Sequence, residues 1–207
     1  KIDMDDGFAR VVNVQVSDGN GGATTREVFI TKGQGGDNEV SAAAGDDTSG
    51  DDVLLGGLGD DILDGGNGAD ALYGGAGNDT LIYDADNSVM SGGNGEDTLV
   101  FNDGGTPDFT GQSITGIETL DLRNDESNTL TLTEDDVLQM SDSHDKLFVE
   151  TDVGAGSIDS LSIPDFQLHD PKVDVDGVSY QQFQSTGDDV ATLLINLGAN
   201  DNPDIVT

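Results

Sequence analysis

An apolar residue recurs at every ninth position between residues 47 and 100, and glycines and an aspartate fill much of the space between. Complete copies follow the pattern G-G-x-G-x-D-x-(apolar)-x, and they span residues 56–64, 65–73, 74–82 and 92–100. The segment 83–91 keeps the length and the apolar residue but lacks the glycines, and 47–55 is a partial copy. A constant period indicates that one structural unit is stacked on itself.

Each copy predicts a six-residue turn followed by a three-residue strand. Glycine at three of the six turn positions permits positive φ and close approach of neighbouring backbones. One side chain per strand points inward, at position eight of the copy: Leu54, Leu63, Leu72, Leu81, Met90 and Leu99. Two copies therefore form one coil, and successive coils stack at a spacing of about 4.8 Å to give two parallel sheets.

The aspartate at position six predicts a metal site. Burial of one leucine does not offset the backbone entropy lost by nine residues, so the coil needs a second source of stability. These aspartates are Asp52, Asp61, Asp70, Asp79 and Asp97. Turns that are 18 residues apart lie above one another, so their carbonyl and carboxylate oxygens form a cage. Such a cage suits Ca²⁺ better than Mg²⁺, which requires a tight octahedron.

The copies resemble the nonapeptides of RTX (repeats-in-toxin) proteins, a calcium-binding β-helix repeat. In that family a turn gives its odd-numbered carbonyls to one ion, and its even-numbered carbonyls and its aspartate to the ion on the other side. The resemblance implies ion sites between turns 47–52 and 65–70, between 56–61 and 74–79, and between 74–79 and 92–97. A fourth site, between 65–70 and 83–88, depends on Asp84 or Asp86, because Ser88 replaces the aspartate there.

The resemblance implies about three to five Ca²⁺ ions held by the turn residues. The implied metal ligands are Asp52, Gly56, Gly57, Leu58, Gly59, Asp60, Asp61, Gly65, Gly66, Asn67, Gly68, Asp70, Gly74, Gly75, Ala76, Gly77, Asn78, Asp79, Gly93, Gly95 and Asp97. A flexible glycine-rich linker is one alternative, but linkers do not place a leucine every nine residues. An EF-hand is another, and the sequence lacks its twelve-residue loop flanked by helices.

The charge balance narrows the possible partners. The chain has 42 acidic and 7 basic residues, a formal net charge of −35. Nucleic-acid binding requires clusters of Lys and Arg, so it is excluded. Repulsion among the carboxylates predicts a loose metal-free chain that calcium orders. The absence of cysteine agrees with an exported bacterial protein without disulfides, and no segment is apolar enough to insert into a membrane.

Residues 1–32 differ from the repeats. Strands over 8–16 and 23–31, joined by a turn at 17–22, predict a β-hairpin. The hairpin resembles the last one of an immunoglobulin- or cadherin-like repeat, of the kind found in tandem in bacterial adhesins. The acidic residues Asp3, Asp5 and Asp6 are candidates for a calcium site at a domain junction, but a solvated acidic loop is favoured. Residues 33–47 are interpreted as a linker.

Residues 113–207 predict a β-rich cap, because a solenoid end exposes unpaired strand edges. Strands are predicted over 117–122, 129–132, 146–151, 158–163 and 191–197, with a hairpin of 173–175 and 178–183. Asp176-Gly177 predicts the hairpin turn, and Thr133-Glu-Asp-Asp136 predicts a capping box and a short helix. Residues 113–197 resemble the C-terminal region of type I-secreted RTX adhesins, which implies an export signal read by an ABC transporter.

RTX repeats often accompany enzymes, whose catalytic motifs would be visible in the sequence. The sequence has no H-E-x-x-H zinc motif, no G-x-S-x-G nucleophile elbow and no cysteine. Its two histidines, His144 and His169, are expected at the surface of the cap. We therefore expect no enzymatic activity.

These patterns together predict an all-β protein: a calcium-binding parallel β-roll (RTX solenoid) at 33–112, a β-rich C-terminal cap with a type I secretion signal at 113–207, and an N-terminal Ig/cadherin-like hairpin at 1–32. The expected function is calcium-dependent folding and secretion of a large surface adhesin. The chain is expected to be a monomer, secreted or on the surface of a Gram-negative bacterium, with further adhesin domains upstream.

Two alternatives stay open at this point. One is the C-terminal RTX tail of a secreted enzyme. The other is a solenoid that binds ice or sugar, which is disfavoured because only Thr80 and Thr98 form a threonine array at position seven of the full copies.

Overall fold

The nine-residue period folds into two parallel sheets that enclose a single column of apolar side chains. In this computed structural model the described residues are 10–17, 23–32, 35–36, 38–41, 50–124, 127–141, 146–151, 160–187, 190–196 and 204–206. Only the backbone is described at 10–17, 23–32, 170–171 and 204–206. Asp3, Asp5, Asp6, His144 and residues 47–49 of the partial copy lie outside the described residues.

The first eleven strands build the two sheets, and from β2 onward consecutive strands alternate between them. They are β1 (Arg10–Ser17), β2 (Ala23–Lys32), β3 (Glu39–Ser41), β4 (Val53–Leu58), β5 (Ile62–Asp64), β6 (Ala71–Ala76), β7 (Thr80–Ile82), β8 (Val89–Asn94), β9 (Thr98–Val100), β10 (Ser113–Thr115) and β11 (Thr119–Asp121). One sheet has the order β1-β2-β4-β6-β8-β10, and the other contains β3, β5, β7, β9 and β11. Neighbours from β2 and β3 onward are parallel and pair in an 18-residue register through the repeats, for example Leu54 with Leu72.

The predicted inward column is confirmed. The position-eight residues from Leu54 to Leu99 are all fully buried, at 0% exposure. Each stacks on the equivalent residue of the next coil, as Leu63 does on Leu81 and Leu81 on Leu99. The column therefore provides the apolar core of both sheets.

The strands on one sheet are longer than predicted. β4, β6 and β8 have six residues and run into the first three positions of the following turn, whereas β5, β7 and β9 have three. The extension pairs Gly57 with Gly75 and Gly75 with Gly93. A side chain at Gly75 would collide with the carbonyl oxygen of Gly57, so glycine is what lets these backbones continue as a ladder.

The predicted N-terminal hairpin is present, and its second strand belongs to the roll. β1 and β2 are antiparallel with Ser17 opposite Ala23, and β2 pairs with β4 in parallel with Ile30 opposite Val53. The hairpin therefore covers the first edge of one sheet. Its membership of an Ig/cadherin-like domain stays a prediction.

The parallel stacking continues beyond residue 112. β10 pairs with β8 and β11 pairs with β9, so the first part of the predicted cap is in register with the roll. The remaining elements are β12 (Thr129–Thr131), α1 (Glu134–Met140), β13 (Lys146–Glu150), β14 (Ser160–Ser162), β15 (Phe166–Val175), β16 (Val178–Ser185), β17 (Thr192–Asn196) and β18 (Asp204–Val206). β13 and β17 extend the second sheet in parallel, the antiparallel pair β16 and β15 ends it, and β12, β14 and β18 form a third parallel sheet.

Two local predictions in this region are confirmed. α1 has Thr133 as its N-cap, and the capping box with Asp136 is complete in both directions. Asp176 and Gly177 form the two-residue turn between β15 and β16, with φ of 52° and 86°. His169 is exposed, as expected.

The apolar column predicts unequal costs for two leucine truncations. Leu72→Ala removes a fully buried side chain and should lower the free energy of unfolding by about 2–5 kcal/mol. Leu58→Ala is the matched control, because Leu58 is 66% exposed, and it should change the free energy by less than about 0.5 kcal/mol. Denaturant unfolding in saturating Ca²⁺ measures both. Equal effects of the two changes would contradict the two-sheet packing.

Candidate metal centres

The position-six aspartates are buried at the two edges of the roll. All five are between 0% and 3% exposed. Asp61 and Asp79 lie in the column that continues to Asp97, and Asp52 and Asp70 lie in the column at the other edge. Buried carboxylates are costly unless hydrogen bonds or cations compensate their charge. The partners of each carboxylate oxygen therefore decide what the turns can do.

One oxygen of these carboxylates joins neighbouring coils. The backbone N–H of Asp61 donates to Asp79 Oδ1 at 2.8 Å, and that of Asp79 donates to Asp97 Oδ1 at 2.7 Å. On the other edge the N–H of Asp52 donates to Asp70 Oδ1 at 2.7 Å. Each bond links residues 18 apart and fixes the orientation of the carboxylate, so the second oxygen has a defined direction.

The second oxygen has no hydrogen-bond donor. It is buried and unpartnered in Asp61, Asp70, Asp79 and Asp97. A Cβ on Gly56 would stand 2.6 Å from Asp61 Oδ2 and 2.5 Å from the carbonyl oxygen of Gly74 in the next coil. Two oxygens from adjacent coils thus border one small space. Leaving a buried acceptor without a partner is unfavourable, and a cation between the oxygens would compensate both.

The donor set fits a hard cation. The same arrangement recurs one coil later, where Asp79 Oδ2 and the Gly92 carbonyl oxygen border the space at Gly74. No group of three or more His, Cys, Asp or Glu side chains that could hold a metal ion occurs within the described ranges. A cage here therefore combines one or two carboxylates with backbone carbonyls. An all-oxygen set of this kind matches Ca²⁺, which takes 6–8 oxygen ligands.

Glycine is required where the turns of successive coils touch. Gly77 has φ of +128°, and a side chain on it would collide with the carbonyl oxygen of Gly59. The N–H of Gly59 donates to the Ala76 carbonyl oxygen at 2.9 Å, which holds the two turns together. Both conformation and space thus exclude other residues at this position.

Burial disfavours the ionised form of these carboxyl groups. Desolvation raises the pKa of Asp70 to about 6 and that of Asp97 to about 7, and it also raises the pKa of Asp79. Bonds from the backbone of the preceding coil oppose these rises, whereas neighbouring carboxylates such as Asp52 add to them. Without a cation the turns therefore resist carrying their full charge.

The residues at position five have a role that the sequence interpretation missed. Asp60 and Asn78, both predicted as ligands, use their side-chain oxygens to accept backbone N–H groups of the next coil. Asn78 N donates to Asp60 Oδ1 at 2.7 Å, and Glu96 N donates to Asn78 Oδ1 at 3.0 Å. Both side chains are exposed. The signal was available, since Asp, Asn or Glu occupies this position in three of the four full copies.

The degenerate turn 83–88 lacks the position-six aspartate, and two other residues supply a hydrogen-bond acceptor and a carboxylate nearby. Asn87, at 2% exposure, accepts the N–H of Asp70 through Oδ1 at 3.2 Å, so it replaces the aspartate in the ladder, which Ser88 does not. Asp84 lines a cavity of about 250 Å³ next to Gly65 and Gly66, and its charge contributes to raising the pKa of Asp70. Substitution by Asp84 therefore stays a prediction, whereas Asp86 is exposed and does not line this cavity.

Comparison with known families gives one match. Residues 48–81 match the family model of the RTX calcium-binding nonapeptide repeat, which comprises four copies. This chain contains an RTX repeat region. No curated protein and no solved structure gave a match.

The RTX match explains the glycine-rich turns and supports Ca²⁺ as the cation that they bind. It identifies the region as a calcium-binding module of a kind typical of type I-secreted proteins, and RTX repeat proteins are typically secreted. The described residues contain no helix with the length and hydropathy needed to span a membrane. The roll itself extends past the matched residues, since 83–91 and 92–100 continue both parallel ladders.

The contact between turns predicts a large effect of one added methyl group. Gly77→Ala places a Cβ against the Gly59 carbonyl oxygen and should destabilise the RTX repeat region by about 1–3 kcal/mol more than Gly105→Ala. Gly105 also has a positive φ, +154°, but nothing lies within 4 Å of its added Cβ, so this control isolates the contact from the backbone strain. Thermal unfolding in saturating Ca²⁺ compares the two. Equal melting temperatures would refute the close contact.

The raised pKa values predict that acid partly replaces calcium. The folded-state pKa values of Asp70 and Asp97 exceed the unfolded value of about 3.9, so protonation favours the folded state. Their stabilising contribution is complete below pH ~4 and is lost as the pH rises through about 6–7. Calcium-depleted protein should therefore gain β-strand circular dichroism when the pH falls from about 8 to about 5.

The same protons compete with calcium. For each ligand carboxyl, affinity should fall about ten-fold per pH unit below its pKa. Isothermal titration with Ca²⁺ at pH ~7.5 and ~5 measures the change. An affinity that is unchanged over this range would show that the calcium-free protein does not hold these carboxyl groups at a raised pKa.

Proposed function

We propose that this chain is the calcium-dependent folding and type I secretion module of a large bacterial surface adhesin. The observation that carries the proposal is the set of buried carboxylate oxygens without a donor, at Asp61, Asp70, Asp79 and Asp97. They lie in a chain with a formal charge of −35. Such a core is unfavourable without cations and favourable with them.

Calcium acts as the switch between an unfolded and a folded chain. Extracellular calcium modules typically bind at about 10⁻⁴–10⁻³ M, far above the free Ca²⁺ of a cytosol. The turns are therefore empty inside the cell, and the chain passes a transporter unfolded. Outside, Ca²⁺ neutralises the carboxylates, and its binding free energy becomes folding free energy.

The residues that hold the ions are the carboxylates and carbonyls of paired turns. We assign one ion to turns 56–61 and 74–79, where Asp61 Oδ2 faces the Gly74 carbonyl oxygen, and one to 74–79 and 92–97. On the other edge we assign an ion to 47–52 and 65–70. The cavity lined by Gly65, Gly66 and Asp84 is the candidate for a fourth. The total stays within the expected range of about three to five.

The regions that flank the roll suit an exported adhesin. We propose that the β-rich region 113–207 carries the signal recognised by a type I ABC transporter, and that adhesive domains precede the N-terminal hairpin. Parallel pairing of β2 with β4 supports a continuous connection, because it ties the hairpin to the first coil. The parent protein is then secreted or held at the surface of a Gram-negative cell, and this module folds as a monomer without catalysing a reaction.

The secretion part of the proposal is tested by expressing this chain in a host that carries a type I transporter and measuring its export. Deletion of residues 160–207 should reduce the amount of this chain in the medium at least ten-fold, because the export signal is lost. Deletion of residues 10–32 is the control, because it also removes strands but from the other end of the chain, and it should leave export unchanged. Equal secretion of both truncated chains would refute a signal in the C-terminal region. The part of the proposal that concerns calcium binding would still stand.

A further inference from the structure

The column of carboxylates that contains Asp61, Asp79 and Asp97 does not end with the last glycine repeat. The N–H of Asp97 donates to Glu118 Oε2 at 2.8 Å, as the N–H of Asp79 donates to Asp97 Oδ1 at 2.7 Å. Glu118 is buried, at 8% exposure. It therefore stands where the next aspartate of the repeat would stand, although it is 21 residues away instead of 18.

Residues 116–118 form the corner between β10 and β11. A carbonyl oxygen of this corner completes the arrangement seen between the repeats. A Cβ on Gly92 would have both Asp97 Oδ2 and the Gly116 carbonyl oxygen within 2.5 Å. At Gly74 the corresponding pair is Asp79 Oδ2 and the Gly92 carbonyl oxygen. Gly116 thus occupies the position that the first glycine of a further coil would have, although it does not belong to a nonapeptide.

The backbone holds this corner in the register of the roll. Ile114 pairs with Met90, and Leu120 pairs with Leu99, so both adjoining strands continue the parallel ladders. The N–H groups of Glu118 and Thr119 both donate to the Asp97 carbonyl oxygen at 3.0 Å. The segment between β9 and β10 is six residues longer than its counterpart in the repeats, and the corner 116–118 is three residues shorter than a six-residue turn, which together give the spacing of 21.

We propose that Asp97 Oδ2 and the Gly116 carbonyl oxygen bind one additional Ca²⁺, between turn 92–97 and the corner 116–118. Asp97 is fully buried, and its Oδ2 has no hydrogen-bond partner. The ligands are oxygens only, so the site selects a hard divalent cation over zinc or copper. The inference rests on the proposed function, because it takes the same ion as the repeats. It places a calcium site at the junction between the roll and the C-terminal strands.

Stoichiometry of bound Ca²⁺ in matched variants tests the site. Asp97→Asn keeps an oxygen for the Asp79 N–H but replaces Oδ2 with an amino group, so native mass spectrometry should find one ion fewer than in the wild type. Glu118→Gln keeps an oxygen for the Asp97 N–H but removes a negative charge that acts on Asp97, so it should weaken one ion and leave the others in place. Asp135→Asn, on the exposed first turn of α1, should bind the wild-type number. A wild-type number with unchanged affinities in both Asp97→Asn and Glu118→Gln would overturn the proposal.

A crystal structure of the wild-type chain with Ca²⁺ gives an answer that does not depend on a variant folding. An anomalous peak about 2.3–2.6 Å from both Asp97 Oδ2 and the Gly116 carbonyl oxygen is expected. Peaks between turns 56–61 and 74–79 with none at Gly116 would refute this site and leave the proposed function standing. Absence of a peak at every turn would refute both.

Discussion

Everything in this fold depends on an aspartate that is buried with one oxygen bonded to the backbone and the other left without a donor. In Asp79, Oδ1 accepts the N–H of Asp61 and thereby fixes the stacking of two coils, while Oδ2 points into a space bordered by a carbonyl of the next coil. Hydrogen bonding alone cannot satisfy that second oxygen, because the neighbouring atoms are also acceptors. A cation is the missing partner, which makes the roll conditional on its concentration.

The other features of the repeat follow from this requirement. Where a turn lies on a preceding one, glycine is required because a carbonyl of that turn occupies the place of a side chain, as the Gly57 carbonyl does at Gly75 and the Gly59 carbonyl does at Gly77. Position eight can supply only one apolar side chain, so the core is a single column and does not hold the coils without the ions. Stability is therefore divided between an apolar column in the middle and two oxygen columns at the edges.

The sequence predicted those parts of the structure that obey a local rule. The nine-residue period placed every residue of the inward column, and the capping box and the Asp176-Gly177 turn were predicted from a few neighbouring residues. The parallel pairing of β2 with β4 was not predicted, since a parallel partner leaves no local signal. Glu118 and Asn87 were missed for a related reason. They enter the ladders at spacings of 21 and 17 residues, so a search in steps of 18 does not find them.

The most direct test of the central claim is a Ca²⁺ titration of calcium-depleted protein, followed by far-UV circular dichroism with Mg²⁺ as the control. The account predicts a cooperative transition from coil to β-structure at sub-millimolar to millimolar Ca²⁺, about 10⁻⁴–10⁻³ M, and no transition with Mg²⁺ at the same concentrations. A calcium-depleted chain that is already fully folded at neutral pH and does not respond to Ca²⁺ would contradict it, because the buried oxygens would then be tolerated without a cation.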